Sequence, residues 1–147
     1  MGQALIQGAR ESGVSGKDIS VSDPSVTARE KCASLFDTNT FSNNEEATKN
    51  ADIVVLSVKP QIIGKALQSV AASGRENLLY ISVAAGVTLE QLSNYSERNI
   101  AIVRCMPNTP AIIRTGITAL IANQNVTEPQ RFDACLLYTS PSPRDRG

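Results

Sequence analysis

The sequence predicts an α/β fold built around a mostly parallel, doubly wound sheet, and three observations support this prediction. Short apolar runs typical of strands alternate with segments of helical periodicity along most of the chain. The clearest run, residues 53–58, is almost continuously apolar, as expected of a parallel strand that is covered on both faces. Finally, four predicted strand–helix junctions are rich in prolines, small residues and short polar side chains, as at the ligand-binding edge of such a sheet.

Local signals justify each element in the first half of the chain. The predicted elements are, in order, a helix over residues 2–12, a strand over 19–22, a helix from 23–24 to about 36, a strand over 39–41, a short helix that opens at 44, and the strand over 53–58. Asp23 and Pro24 begin the second helix, because aspartate caps helices and proline fits the first turn. Glu45 and Glu46 place negative charge at the positive end of the third helix.

The second half continues the alternation. Its predicted elements are, in order, a helix over residues 61–72, a strand over 78–83, a helix from 88, strands over 100–105 and 117–122, and a last helix from 127. Thr88 with Gln91, and Thr127 with Gln130, have the spacing of a capping box, which fixes the start of both later helices. Residues 139–147 are polar, interrupted by prolines and without periodicity, so we expect residues 138–147 to be a disordered, non-native tail.

The composition excludes several classes of function. The chain has 147 residues, the length of about one domain. It has 14 basic and 14 acidic residues, so its net charge is zero. Neither nucleic acid nor an anionic membrane is therefore an expected partner. The absence of histidine excludes Ser-His-Asp and Cys-His catalysis within the chain and the common histidine-containing zinc sites. The three cysteines form no CxxC pair, which indicates reduced thiols in the cytoplasm rather than a disulfide framework or a metal site.

The candidate ligand-binding residues follow the predicted strands. The junction segments are Ser22, Asp23 and Pro24; Ser57, Val58, Lys59 and Pro60; Val83, Ala84, Ala85 and Gly86; and Met106, Pro107, Asn108, Thr109 and Pro110. Small residues let a flat or phosphorylated ligand approach the backbone, and prolines fix the shape of the loops. The alternative for each junction is ordinary turn chemistry. In that case Lys59, Arg104 and Arg114 are solvated surface charges.

The start of the chain departs from the dinucleotide-binding pattern. Such a fold opens with a strand followed by G-x-G-x-x-G, whereas this chain begins inside its first predicted helix, with Gly2 in the place of the third glycine. We therefore expect the first strand of the sheet to be absent. Because that strand lies at the centre of a doubly wound sheet, we also expect residues 1–41 to be loosely attached to a parallel four-stranded core over residues 53–122.

Five sequence blocks together resemble one enzyme family. In chain order they are Val-Ser-Asp-Pro ending at Pro24, Asn-Glu-Glu-Ala from Asn44, the block that ends in Val-Lys-Pro at Pro60, Ile-Ser-Val-Ala-Ala-Gly-Val-Thr-Leu-Glu from Ile81, and Arg-Cys-Met-Pro-Asn-Thr-Pro-Ala from Arg104. This series is similar to that of the pyrroline-5-carboxylate reductases, and the resemblance covers the chain to about residue 134.

The resemblance implies a cytoplasmic oxidoreductase of proline biosynthesis. In that family NADPH or NADH reduces the C=N bond of 1-pyrroline-5-carboxylate to give L-proline. A Rossmann-like dinucleotide-binding domain precedes a helical domain that forms homo-oligomers and holds most substrate contacts. Residues 1–137 would then be a partial NAD(P)-binding Rossmann domain that lacks its first strand and the C-terminal helical domain, and the isolated chain would be inactive.

The family's functional residues map onto this chain as cofactor contacts, with no catalytic residue and no metal ligand. The resemblance implies cofactor binding by Met1, Ser22, Asp23, Asn44, Ser57, Val58, Lys59, Pro60, Val83, Ala84 and Ala85, and a cleft loop of Met106, Pro107, Asn108, Thr109 and Pro110. Ser22 and Asp23 would lie beside the adenosine ribose, although Asp23 could instead cap its helix. Many members have alanine at the position of Ser57.

Two other functions remain open at this stage. Another Rossmann reductase, such as a β-hydroxyacid dehydrogenase, would need a catalytic lysine downstream and a different loop at Met106 to Pro110. A nucleotide-binding module without catalysis would need only the dinucleotide-binding part.

Overall fold

The computed structural model describes residues 2–71, 78–84, 86–96, 99–107 and 117–138. Its helices are α1 (Gly2–Glu11), α2 (Val26–Phe36), α3 (Asn44–Thr48), α4 (Ile63–Ala71), α5 (Leu89–Tyr95) and α6 (Glu128–Tyr138). Its strands are β1 (Ser20–Ser22), β2 (Asn39–Phe41), β3 (Ile53–Leu56), β4 (Leu79–Ser82), β5 (Ala101–Pro107) and β6 (Ile117–Ala122). The sequence predicted each of these, but not the short 3-10 helix Gly16–Asp18 that precedes β1. Residues 139–147 lie outside the described residues.

The strands form two sheets. β1 and β2 pair in parallel, and a separate sheet has the order β3-β4-β5-β6. The first three strands of that sheet are parallel, as predicted, and β1 is not paired with β3, as expected if an intervening strand is absent. β6 is antiparallel to β5, so the expectation of an all-parallel four-stranded core was wrong. The physical reason is that a parallel crossover takes a dozen or more residues, whereas only residues 108–116 separate these two strands.

The core lies on both faces of the four-stranded sheet, because successive strand residues point to opposite sides. On one face Leu56, Tyr80 and Ile102 pack with Leu67 of α4 and Leu92 of α5. On the other face the buried cluster contains Leu79, Ile81, Ala101, Val103 and Cys105, together with Leu5 of α1 and Ala134 of α6. Covering both faces explains why these strands are mostly apolar, with apolar residues on both sides.

Helix α1 is anchored in this core. The Leu5 side chain is only 7% exposed and packs with the strand residues of the four-stranded sheet, and Ala9 is also buried. Burial of a leucine side chain stabilises a fold by about 1.5–3 kcal/mol. The expectation that the whole N-terminal segment is loosely attached was therefore wrong for α1, which shares the second core cluster with α6.

Caps define where the helices begin. The side chain of Ser25 accepts the N–H of Ala28 and makes Ser25 the N-cap of α2, so the expected start at Asp23 and Pro24 was wrong by two residues. Thr88 and Gln91 form the predicted capping box at α5. Thr127 and Gln130 exchange the same pair of hydrogen bonds at the start of α6.

One asparagine joins the last two strands of the sheet. Asn123, directly after β6, accepts the N–H of Ile102 through Oδ1 at 3.2 Å and donates from Nδ2 to the Ile100 carbonyl at 2.9 Å. Its Oδ1 also accepts the N–H of Asn125 at 3.1 Å. The side chain therefore continues the β5–β6 pairing beyond the end of β6.

None of the described helices has the length and apolar character needed to cross a membrane.

Candidate functional site

The carboxyl ends of β1 and β2 bring two predicted site residues together. Ser22 is the last residue of β1, and Asn44 is the first residue of α3, just after β2. The Ser22 hydroxyl donates a hydrogen bond to Oδ1 of Asn44 at 2.5 Å, although the two residues are 22 positions apart. This bond fixes the amide of Asn44 so that its Nδ2 donors remain for another group. α3 is positioned by Asn43, whose side chain accepts the N–H groups of Glu45 and Glu46.

Asp23 is held by its backbone as well as by its side chain. Its N–H donates to the Phe41 carbonyl at 3.1 Å, which extends the β1–β2 ladder by one residue. Its Oδ1 accepts the N–H of Ser25 at 2.8 Å, so the carboxylate is used in a turn before α2 and is not the helix cap. Its carbonyl accepts a hydrogen bond from the guanidinium of Arg29 at 2.6 Å.

The Asp23 charge also affects the pKa of a thiol in α2. Burial raises the pKa of the Cys32 thiol, and the negative charge of Asp23 raises it further, while Lys31 lowers it. Cys32 is buried on α2, so the burial of the thiol and the Asp23 charge shift its pKa in the same direction.

The end of β3 carries a buried hydroxyl without a partner. Ser57 directly follows β3, and its Oγ is buried with no hydrogen-bond partner among the described residues. Leaving such a group unsatisfied costs about 1–3 kcal/mol, so this position fits a site where a bound ligand supplies the missing partner. Val58 packs partly against the core, while Lys59 and Pro60 are exposed. The Lys59 carbonyl accepts the N–H of Ile62 at 3.0 Å before α4 begins.

The two residues after β4 are buried, and their N–H groups donate within the chain, Val83 to the Leu56 carbonyl and Ala84 to the Ser82 hydroxyl. Val83 and Ala84 are buried, and their side chains join the core clusters on opposite faces of the sheet. The N–H of Val83 lies 3.4 Å from the Leu56 carbonyl, so the segment stays beside the end of β3. Gly86 has a φ of +77°, a conformation that favours glycine.

The remaining predicted residues divide between the end of β5 and the undescribed segments. Met106 and Pro107 are the last residues of β5, which is parallel to β4, so they lie at the same edge as Ser57 and Val83. Arg104 of β5 has a buried Nε with no partner among the described residues. The predicted contacts Met1, Ala85, Asn108, Thr109 and Pro110, and the alternative surface charge Arg114, lie outside the described residues.

The arrangement forms two groups of candidate residues. Ser22, Asp23 and Asn44 belong to the two-stranded sheet, and the second group belongs to the carboxyl edge of the four-stranded sheet. No hydrogen bond in the described part of the chain joins the two groups.

Sequence reasoning missed Arg29, whose signal was a basic residue in the helix that follows β1. Among the described residues no cluster of acidic or cysteine side chains could hold a metal ion.

The chain is similar in sequence to known oxidoreductases. A family model described as "NADP oxidoreductase coenzyme F420-dependent" matches residues 1–86. The chain is 40% identical over 130 residues to the pyrroline-5-carboxylate reductase of Pseudomonas aeruginosa, an alignment that covers 88% of this chain and 48% of the relative. The chain thus spans about half the length of the curated relatives it matches.

Solved structures show the same fold. The chain matches a pyrroline-5-carboxylate reductase from Coxiella burnetii with a TM-score of 0.86 and 30% identity, covering 93% of this chain and 52% of the other. It matches the pyrroline carboxylate reductase of Plasmodium falciparum, solved with NADP bound, with a TM-score of 0.80 and 26% identity, covering 95% of this chain and 51% of the other. The predicted α/β, Rossmann-like class is therefore confirmed.

Proposed function

The chain belongs to the family described as NADP oxidoreductase coenzyme F420-dependent, and from this premise we propose that it forms the dinucleotide-binding part of a pyrroline-5-carboxylate reductase. The observation that carries the proposal is the 40% identity to the Pseudomonas aeruginosa reductase over 88% of this chain. The proposed cofactor is NADPH or NADH, and the proposed location is the cytoplasm. Homo-oligomers would form through a helical domain of the whole protein.

The proposed reaction reduces a C=N bond. A hydride adds to the carbon of the C=N bond of 1-pyrroline-5-carboxylate and a proton from solvent adds to its nitrogen, which gives L-proline. The reduced nicotinamide supplies the hydride when it is bound, and it is oxidised in the same step. The chain itself would contribute binding and orientation, because hydride transfer requires the reacting atoms to be held within roughly 3–3.5 Å of each other.

The described residues suit the two ends of such a cofactor. Ser22 and Asn44 would contact the adenosine ribose, because the Ser22 oxygen retains acceptor capacity and the Asn44 amide retains donors beside it. At the other sheet edge the Ser57 hydroxyl would gain the partner it lacks. Val83 and Ala84 follow β4 at the same carboxyl edge, where a doubly wound sheet binds its ligand.

Binding of NADPH to the 147-residue chain tests the proposal directly. Isothermal titration should give saturable binding, and Asn44→Ala should weaken it by about 5- to 10-fold through loss of one hydrogen-bonding side chain. Asn94→Ala is the matched control, because Asn94 is an exposed residue of α5 away from both groups of candidate residues. A chain that is folded by circular dichroism but does not bind NADPH would refute the proposal.

A second measurement addresses the activity. We expect the 147-residue chain to show no oxidation of NADPH that depends on added pyrroline-5-carboxylate. Longer homologous proteins that resemble it over this region should catalyse that reaction. Substrate-dependent turnover by the chain alone would contradict the assignment of the substrate contacts to another domain.

A further inference from the structure

Arg104 belongs to a row of paired residues that crosses the four-stranded sheet near its carboxyl edge. Leu56 of β3 is the partner of Ser82 of β4. Arg104 of β5 lies between its partners Ser82 and Ile121 of β6. Paired residues of neighbouring strands have their side chains on the same face of a sheet. Leu56 belongs to the core cluster that includes α4 and α5, so the row lies on the face that these two helices cover.

The cover that the helices provide ends at Arg104. Leu56 is 4% exposed and Ser82 is fully buried, whereas Ile121 at the other end of the row is 48% exposed. Arg104, between them, is half-buried. The guanidinium therefore lies at the boundary between a packed core and an open apolar side chain.

The Arg104 side chain has no partner at this boundary. Its Nε is buried and makes no hydrogen bond, and no described residue accepts a hydrogen bond from the guanidinium or forms an ion pair with it. A buried donor of a charged group is costly to leave unpaired, and such groups are rare in folded proteins. Arg104 thus differs from a fully solvated surface charge, and its position suits a site where a ligand supplies an acceptor.

We propose that Arg104 and Ile121 form a binding site for a small organic monocarboxylate. The carboxylate pairs with the guanidinium, whose planar donors match its geometry, and the apolar part of the ligand covers Ile121. The other residues of the row carry no charge, so a single cation is available, and a second negative charge on the ligand would have nothing to offset its desolvation. The site requires neither a dinucleotide nor a C=N substrate, so it does not rest on the proposed function.

Nuclear magnetic resonance follows the site directly, because an Nε–H that is shut off from water exchanges its hydrogen slowly. Titration of the 147-residue chain with 3-methylbutanoate should shift the Arg104 Nε–H signal in a saturable way, and Arg104→Lys identifies that signal by removing it. The uncharged 3-methylbutanamide and the dianion sulfate should each bind at least about 10-fold more weakly. Equally tight binding of either probe, or failure to observe a slowly exchanging Nε–H, would overturn the proposal.

Substitutions at the two residues test the charged and apolar contacts separately. In each variant, the rise in the thermal unfolding midpoint on addition of 3-methylbutanoate measures binding. Arg104→Met keeps an apolar stem without the guanidinium and should weaken binding at least about 10-fold, and Arg104→Lys should fall in between. Ile121→Thr should weaken 3-methylbutanoate binding about 3-fold and leave acetate binding within about 2-fold, because acetate lacks the apolar part. Equal effects of Ile121→Thr on both acids would contradict the apolar contact and overturn the proposed site.

The unliganded variants distinguish a binding role from a structural one. Without ligand, Arg104→Met should unfold at the same temperature or higher, because it removes an unsatisfied buried donor. A midpoint lower by more than about 3 °C would show that the guanidinium serves the fold, and the proposal would fail. Arg131→Met is the matched control, because Arg131 is an exposed arginine of α6, which packs on the opposite face of the sheet. It should leave 3-methylbutanoate affinity within about 2-fold, and a loss equal to that of Arg104→Met would mean that net charge attracts the acid, which also refutes the site.

Discussion

Substitution of Asn123 by alanine should destabilise the chain more than any other exchange of a partly exposed polar residue outside the candidate site. The side chain makes three hydrogen bonds, to the N–H of Ile102, the carbonyl of Ile100 and the N–H of Asn125. Each bond contributes about 0.5–1.5 kcal/mol net, so their joint loss should lower the free energy of unfolding by about 2–4 kcal/mol. A marginal domain has about 5–15 kcal/mol in total, so the effect would be large.

Urea unfolding followed by far-ultraviolet circular dichroism measures this change. Asn125→Ala is the matched control, because the Asn125 side chain donates a hydrogen bond to the same Ile100 carbonyl at 3.1 Å. That control should lose about 1 kcal/mol. Equal losses for the two variants, or a loss below about 0.5 kcal/mol for Asn123→Ala, would refute the reasoning that Asn123 ties β6 to β5.

Two further predictions concern α1 and α2. Leu5→Ala should lower the free energy of unfolding, measured in urea, by about 2–4 kcal/mol, because Leu5 is buried in the second core cluster. The control Leu35→Ala, at a side chain that is 58% exposed, should change it by less than about 0.5 kcal/mol. Similar small losses for both variants would mean that α1 is not anchored in the core. Because burial raises the pKa of Cys32 in the folded state, the unfolded chain releases the thiol proton first as the pH rises above about 8.5, so stability should fall with pH there. Cys32→Ala should flatten that alkaline decline in unfolding titrations, and an unchanged decline would contradict the assignment.

The sequence predicted the elements where local chemistry alone decides them. Both capping boxes form as predicted, because the Thr and Gln side chains need only backbone groups within three residues. The start of α2 was misplaced because it depends on a contact between strands. The N–H of Asp23 is bonded to the Phe41 carbonyl, which keeps Asp23 in the β1–β2 ladder and leaves the capping role to Ser25.

Strand direction and side-chain links across the sheet were harder to predict. The apolar pattern of residues 117–122 shows a strand but carries no direction, and the short interval after Pro107 was the available signal for antiparallel pairing. The link made by Asn123 joins residues more than 20 positions apart along the chain, and no local pattern encodes such a bond. Arg29 was missed because its bond to the Asp23 carbonyl depends on how α2 packs against the end of β1, whereas Ser22 and Asn44 were predicted from the resemblance to a family.

The polar side chains in the two groups of candidate residues differ in whether they have a hydrogen-bond partner within the chain. Ser22 and Asn44 satisfy each other, so their contact would hold the strand end together even without a ligand. Ser57 has no such partner, and a buried hydroxyl in that state lowers the stability of the fold by about 1–3 kcal/mol. Alanine at this position would remove the unsatisfied group and leave the β3 backbone unchanged, so the fold gains nothing from the hydroxyl of Ser57. Under the proposed function, a cofactor at the carboxyl edge of β3 would supply the partner that the Ser57 hydroxyl lacks.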